Sequence, residues 1–74
     1  MSRVPIVDFK AMQRALLKLG FAATRQHGSH VFFRHVDGRT TTAPNHPGRD
    51  LSPTLTRKIL KDIGLAVDEF RKIL

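Results

Sequence analysis

The stretch FAATRQHGSHVFFRHVDGRTTTAP, Phe21 to Pro44, decides how this chain folds. Phenylalanine, valine and threonine are enriched across it, and two short punctuators, Gly28-Ser29 and Asp37-Gly38, cut it into three pieces. Residues of that kind fit a pleated, half-buried surface, and paired turn residues between such runs mark hairpins. Glycine at the first central position favours a type II′ turn at Gly28-Ser29, and Asp-Gly favours a type I′ turn at Asp37-Gly38. The expectation is a three-stranded antiparallel meander of about Ala22 to His27, His30 to Val36, and Arg39 to Ala43. Pro44 and the run Asn45-His46-Pro47-Gly48 then end the sheet, because proline cannot donate to a ladder.

Outward from this sheet the period becomes helical. On the N-terminal side Asp8 is a capping residue, Val7 and Met12 suit a hydrophobic staple, and Phe9, Met12, Leu16 and Leu19 recur along one face before Gly20. A helix from about Phe9 to Leu19 follows, with Lys10, Arg14 and Lys18 on the opposite face, ordinarily a solvated one. On the C-terminal side Ser52-Pro53 is an N-cap and N1 pair, and Leu55, Ile59 and Ile63 continue to Gly64. That second helix exposes Arg57, Lys58 and Lys61. The tail Leu65 to Leu74 carries Phe70, Ile73 and Leu74 behind Asp68 and Glu69, which suits a short third helix docking its apolar side on the core. The fold class is α+β: one domain over residues 1–74, in two layers, α-β-β-β-α, with a short extra C-terminal helix and the helices on one face of the sheet. Phe32 and Phe33 point to opposite faces and both suit a core, so the pattern does not say which face the helices cover.

Composition narrows the function. Thirteen Lys and Arg stand against six Asp and Glu, a formal net charge of +7, so the natural partner is a polyanion or an acidic protein. A domain of this size buries only roughly 60% of its unfolded surface, which leaves no room for a deep substrate pocket. The absence of cysteine removes disulfides, thiol nucleophiles and thiolate zinc sites. Met1 to Val7 has no signal-peptide core, and no run of ~20 apolar residues exists for a membrane span, so a cytoplasmic protein with no membrane association is expected.

The chemistry available is that of histidine. If Gly28-Ser29 is a two-residue turn, His27 and His30 are directly opposed across the hairpin with their side chains on one face. The same register sets Arg25 opposite Phe32, and through Asp37-Gly38 it sets Arg34 near Thr41. Imidazoles beside guanidinium groups suit cleavage of RNA by its own 2′-hydroxyl: a base takes the hydroxyl proton, an acid protonates the leaving 5′-oxygen, and cations stabilise the charge on phosphorus. Imidazole ordinarily titrates near ~6.5, so either protonation state is within reach near neutrality. His30 is the candidate catalyst and His27 its possible assistant. Arg25, Arg34 and Arg39 are candidate phosphate ligands, with Lys58 and Lys61 as more distant phosphate contacts. Ser29 is a hydrogen-bond donor to RNA or simply a turn residue. His35 leads into a turn, and His46 sits in a loop where it either meets substrate or orders the chain. No cofactor and no metal are expected, since the carboxylates serve caps and turns and none cluster as in a two-metal nuclease. No Gly-x-Ser-x-Gly elbow is present for a serine hydrolase.

The ordered set Arg25-Gln26-His27-Gly28-Ser29-His30, Phe33-Arg34-His35, Asp37-Gly38-Arg39, Pro44, His46-Pro47-Gly48, and Leu55 with Arg57 to Leu60 resembles the HicA toxins of the YcfA-like family. The resemblance runs from the first helix to Phe70. It implies a fold like that of double-stranded-RNA-binding domains, a metal-independent ribonuclease that cleaves mRNA and arrests growth, and neutralisation by a HicB-like antitoxin. It places the family's catalytic histidine, in its Gly-Ser-His motif, on His30, and it makes no comparable assignment for His27 or His46. The free toxin is expected to be a monomer. Two other readings predict the same basic charge: a non-catalytic RNA-binding module of the same fold, and a small basic protein that mainly meets an acidic partner.

Overall fold

The computed structural model describes residues 3–74, so Met1 and Ser2, with which the segment read for a signal peptide begins, lie outside the described residues. The order is helix α1 (Phe9–Lys18), strands β1 (Ala22–His27), β2 (His30–Arg34) and β3 (Thr40–Pro44), then helices α2 (Pro53–Ile63) and α3 (Val67–Ile73). The strands form one antiparallel sheet in the order β1-β2-β3. The α+β class and the six expected elements are all present. Among the described residues no helix is long and apolar enough to cross a membrane.

The caps work as their residue types dictate. Asp8 accepts from the Ala11 N–H at 2.9 Å, and Ser52 accepts from the Leu55 N–H at 3.1 Å with Pro53 behind it at N1. The α1 face carrying Phe9, Met12, Ala15 and Leu16 is buried, as are Ile59, Leu60 and Ile63 of α2 and Phe70 of α3. Leu74, expected on the docked side of α3, is instead about half exposed beyond its last turn.

Burial alternates along β2, and this settles which phenylalanine enters the core. Val31 and Phe33 are buried, whereas His30 and Arg34 are exposed and Phe32 is only partly covered. Phe33 meets the Phe9 ring of α1 at 6.3 Å between centroids. On β3, Thr41 and Ala43 turn inward with them. The opposite face carries no helix. Strand β1 is exposed along its whole length, so the helical layer covers β2 and β3 and leaves β1 as an uncovered edge.

The first hairpin is as the sequence indicates: Gly28 has φ of +61°, as a type II′ turn requires, and His27 faces His30. The second differs. A type I′ turn needs positive φ at both central residues, but Asp37 has none and only Gly38 does, at +97°. The Gly38 N–H donates to the His35 carbonyl at 3.0 Å and the His35 N–H to the Arg39 carbonyl at 2.9 Å, closing a three-residue loop, Val36-Asp37-Gly38. The cause is local: Asp37 accepts from the Arg39 N–H at 3.0 Å and from Arg39 Nε at 2.8 Å, the self-bonding that Asp favours in right-handed turn positions. Strand β2 therefore ends at Arg34 instead of Val36, and β3 runs from Thr40 to Pro44 instead of Arg39 to Ala43. The register moves by one residue. Arg34 faces Thr40, not Thr41, and Thr41 pairs with Phe33 on the buried face, where its hydroxyl donates to Asp62 at 3.0 Å.

Thr56 of α2 is fully buried, and its hydroxyl has no hydrogen-bond partner among the described residues. An orphaned buried hydroxyl costs roughly 1–3 kcal/mol, and valine has nearly the same shape. Thr56→Val therefore raises stability by about 1 kcal/mol, read as a higher denaturant midpoint at unchanged slope.

Candidate nucleic-acid interface

The helix-free face is built by strand alternation. It carries Arg25 and His27 from β1, His30, Phe32 and Arg34 from β2, and Thr40, Thr42 and Pro44 from β3. The Gly28-Ser29 turn is fixed by Gln26 Nε2 donating to the Gly28 carbonyl at 2.9 Å and by the Asn45 N–H donating to the Ser29 carbonyl at 2.6 Å. Directly opposed residues in such a pair bring their Cβ atoms to about 5 Å. Two exposed imidazoles therefore stand side by side.

A one-residue bulge at Thr24 shifts the β1–β2 register between Ala23 and Arg25. It falls beyond Arg25, so the pairs His27 with His30 and Arg25 with Phe32 survive it. The Thr24 hydroxyl donates to the Phe32 carbonyl at 3.3 Å, and the Arg25 guanidinium lies 4.6 Å from the Phe32 ring centroid. At an exposed site such a stack contributes about 0.5–1 kcal/mol. A shallow depression of about 340 Å³ opens here, lined by Thr24, Arg25, Phe32, Arg34, Thr40 and Thr42 among others. No strand contains a carboxylate. The face thus presents cations, hydroxyls and imidazoles to a polyanion, and its shallowness suits an extended polymer better than a small molecule.

The other sequence-derived candidates lie elsewhere. Ser29 is the second residue of the turn, partly buried. Arg39 stands at the far end of the β2–β3 hairpin, where it binds Asp37, donates to the Ile63 carbonyl at the end of α2 and lies 5.2 Å from the Phe21 ring centroid. His35 packs on the same Phe21 ring at 5.1 Å, and its Nδ1 accepts from the Asp37 N–H at 3.1 Å. The Asp37 carboxyl is held below its usual value first by the Arg39 N–H and then, against the opposing effect of burial, by the Arg39 side chain and nearby His35. These contacts make the hairpin end a structural clasp. Lys58, paired with Asp62 at 3.1 Å, and Lys61 belong to α2, in the helical layer. His46 lines a separate hollow of about 150 Å³ with Asp8 and Lys10 beside the start of α1. Among the described residues no three His, Asp or Glu side chains gather as a metal site would require.

The sequence pattern groups His27, His30, Arg25, Phe32 and Arg34 on one face, as the strand pairing has them, but it sets Thr41 there where Thr40 and Thr42 stand. The pairing of Arg25 with Phe32 makes Phe32 a surface residue once Phe33 is given to the core.

No curated protein matches the chain. The family whose sequence pattern matches residues 9–65, from the first residue of α1 past the end of α2, is described as HicA toxin of bacterial toxin-antitoxin. The matched span includes the whole sheet, the Gly28-Ser29-His30 turn and both helices packed against it, so the chain belongs to the HicA toxin family of bacterial toxin-antitoxin systems, a family known as mRNA interferases that act beside an antitoxin partner.

Proposed function

We propose that this toxin is a metal-independent endoribonuclease that cuts mRNA in the cytoplasm as a monomer, with His30 as the catalytic proton carrier, until a HicB-like antitoxin neutralises it. The observation that carries this reading is the opposed pair His27 and His30 on a helix-free face without carboxylates. One imidazole takes the proton of the ribose 2′-hydroxyl. The 2′-oxygen then bonds to phosphorus while the bond from phosphorus to the 5′-oxygen breaks, and an acid delivers a proton to that leaving oxygen. His27 stands where such an acid is needed, Arg25 is the next residue along that face of β1 to bind a phosphate oxygen, and Arg34 meets the backbone farther along, at the other end of β2. Ser29 holds the turn, and Arg39 closes the hairpin instead of reaching RNA. Lys58 and Lys61, in the helical layer, add long-range attraction for the polyanion.

The test is cleavage of a defined RNA in excess chelator with the new ends identified. Cleavage persists, and the upstream fragment carries a 2′,3′-cyclic or 3′-phosphate. A 3′-hydroxyl end would reject attack by the 2′-hydroxyl, and loss of activity in chelator would reject metal independence. RNA binding with no cleavage at all would make the chain a binding module.

A further inference from the structure

We infer that Phe32 is the platform on which an unpaired base of the RNA stacks, with the Arg25 guanidinium as its removable cover, so that the toxin selects single-stranded over duplex RNA. The inference rests on the reading of this face as the RNA cleavage surface. A solitary surface phenylalanine needs no explanation; the position of this one gives it meaning. Phe32 occupies the middle of the central strand, on the face away from the core, and it is neither in the buried cluster nor among the apolar residues packed against it. Its four neighbours on that face are His30 and Arg34 along the strand, and Arg25 and Thr42 across it.

The arrangement supplies the parts that unpaired RNA requires. An aromatic ring accepts any base by stacking, because every base has a π face, whereas the bases of a duplex have theirs covered by neighbours. Thr24, Thr40 and Thr42 keep the surroundings low and line the depression that opens at the ring. Residues two apart on a strand are separated by about 6.7 Å, so a base on Phe32 brings an adjoining phosphodiester alongside His30. A guanidinium on an exposed ring is held more weakly than a stacked base. The incoming base therefore displaces Arg25, which is left beside the backbone to take the phosphate. Binding thus exchanges one stacking partner of Phe32 for another and frees a cation where the negative charge arrives.

The experiment measures affinity with short 2′-O-methyl oligoribonucleotides, which cannot be cut, as a single strand and as a blunt duplex of the same sequence. Thermal melts first confirm that each variant folds, as the position of Phe32 off the core predicts. Phe32→Leu weakens single-strand binding about 10-fold, Phe32→Tyr, which keeps a π face, stays near wild type, and duplex affinity is the same for all three. Undiminished single-strand affinity in Phe32→Leu, equal losses for strand and duplex, or no binding by the wild type overturns the platform. Cleavage of unmethylated RNA is scored separately. A chain that shows this affinity pattern and never cuts keeps the platform and loses the ribonuclease reading. One that cuts RNA while Phe32→Leu binds as well as wild type loses the platform alone.

Discussion

His30→Ala lowers the rate of RNA cleavage by about 100- to 10,000-fold, the contribution expected of a positioned proton carrier, and relieves growth arrest to the same extent. The substitution should leave the fold alone. His30 is exposed on the face opposite the core, at the start of a strand whose buried members are Val31 and Phe33, and its backbone partners His27 and Pro44 are unaffected by the loss of a ring. Unchanged melting therefore accompanies the lost activity. His27→Ala is milder: it slows cleavage and removes one limb of the pH–rate profile, because an assistant sets only one of the two protonation requirements. His35→Ala leaves that profile intact, since His35 sits in the clasp with Phe21 and Asp37 at the other end of the hairpin. A His30→Ala chain that cuts within a few fold of wild type would remove this residue from the reaction and return the face to simple RNA binding.

Phe70→Ala destabilises the protein by about 3–5 kcal/mol, as removal of a fully buried phenylalanine does. A 74-residue chain has about 4–11 kcal/mol in total, so the loss takes from about a quarter of that stability to all of it. Phe70 is 0% exposed, yet α3 lies outside residues 9–65 that carry the family pattern. The helix is short: the Ala66 N–H donates to Glu69 at 3.0 Å to cap its own first turn, and tertiary contacts fix its place, with Lys18 donating to the Ile73 carbonyl at 2.8 Å and Arg71 to the Arg3 carbonyl. A lysine on the last turn of one helix thus caps the end of another, where the backbone leaves carbonyls unpaired. Phe70→Leu, which retains most of the apolar volume, loses far less. Denaturant unfolding decides the matter: a drop under about 1 kcal/mol for Phe70→Ala would make α3 a peripheral attachment instead of a wall of the core.

The helices were legible because each start and stop carries its own chemistry: Asp8, Ser52-Pro53 and Gly64 act within a single turn and need no distant partner. The Gly28-Ser29 turn was legible for the same reason, and with it the pair His27 and His30. The Asp37-Gly38 turn was not. Its two possible geometries differ by one loop residue, and the choice falls to Asp37 bonding Arg39, a residue whose guanidinium is in turn drawn to Ile63, 24 positions away. A sequence reading treats such an arginine as a free cation, whereas the carbonyls at the end of α2 hold a partial negative charge that attracts it. The orientation of the sheet was illegible too, since the adjacent Phe32 and Phe33 satisfy either face equally. The packing of Phe9 of α1 on Phe33, with Val31 and Ala43 buried beside it, breaks that tie.

The bare edge strand sets how the two imidazoles move. Strand β2 is held between two neighbours and carries buried side chains, so His30 opens only when much of the domain does. Strand β1 is held on one side only and buries nothing, which places it at the low end of the range of local opening energies. His27 therefore rides on a segment expected to open more readily than the strand that carries His30. The spacing of the two imidazoles then depends on the edge strand staying paired as well as on the turn between them.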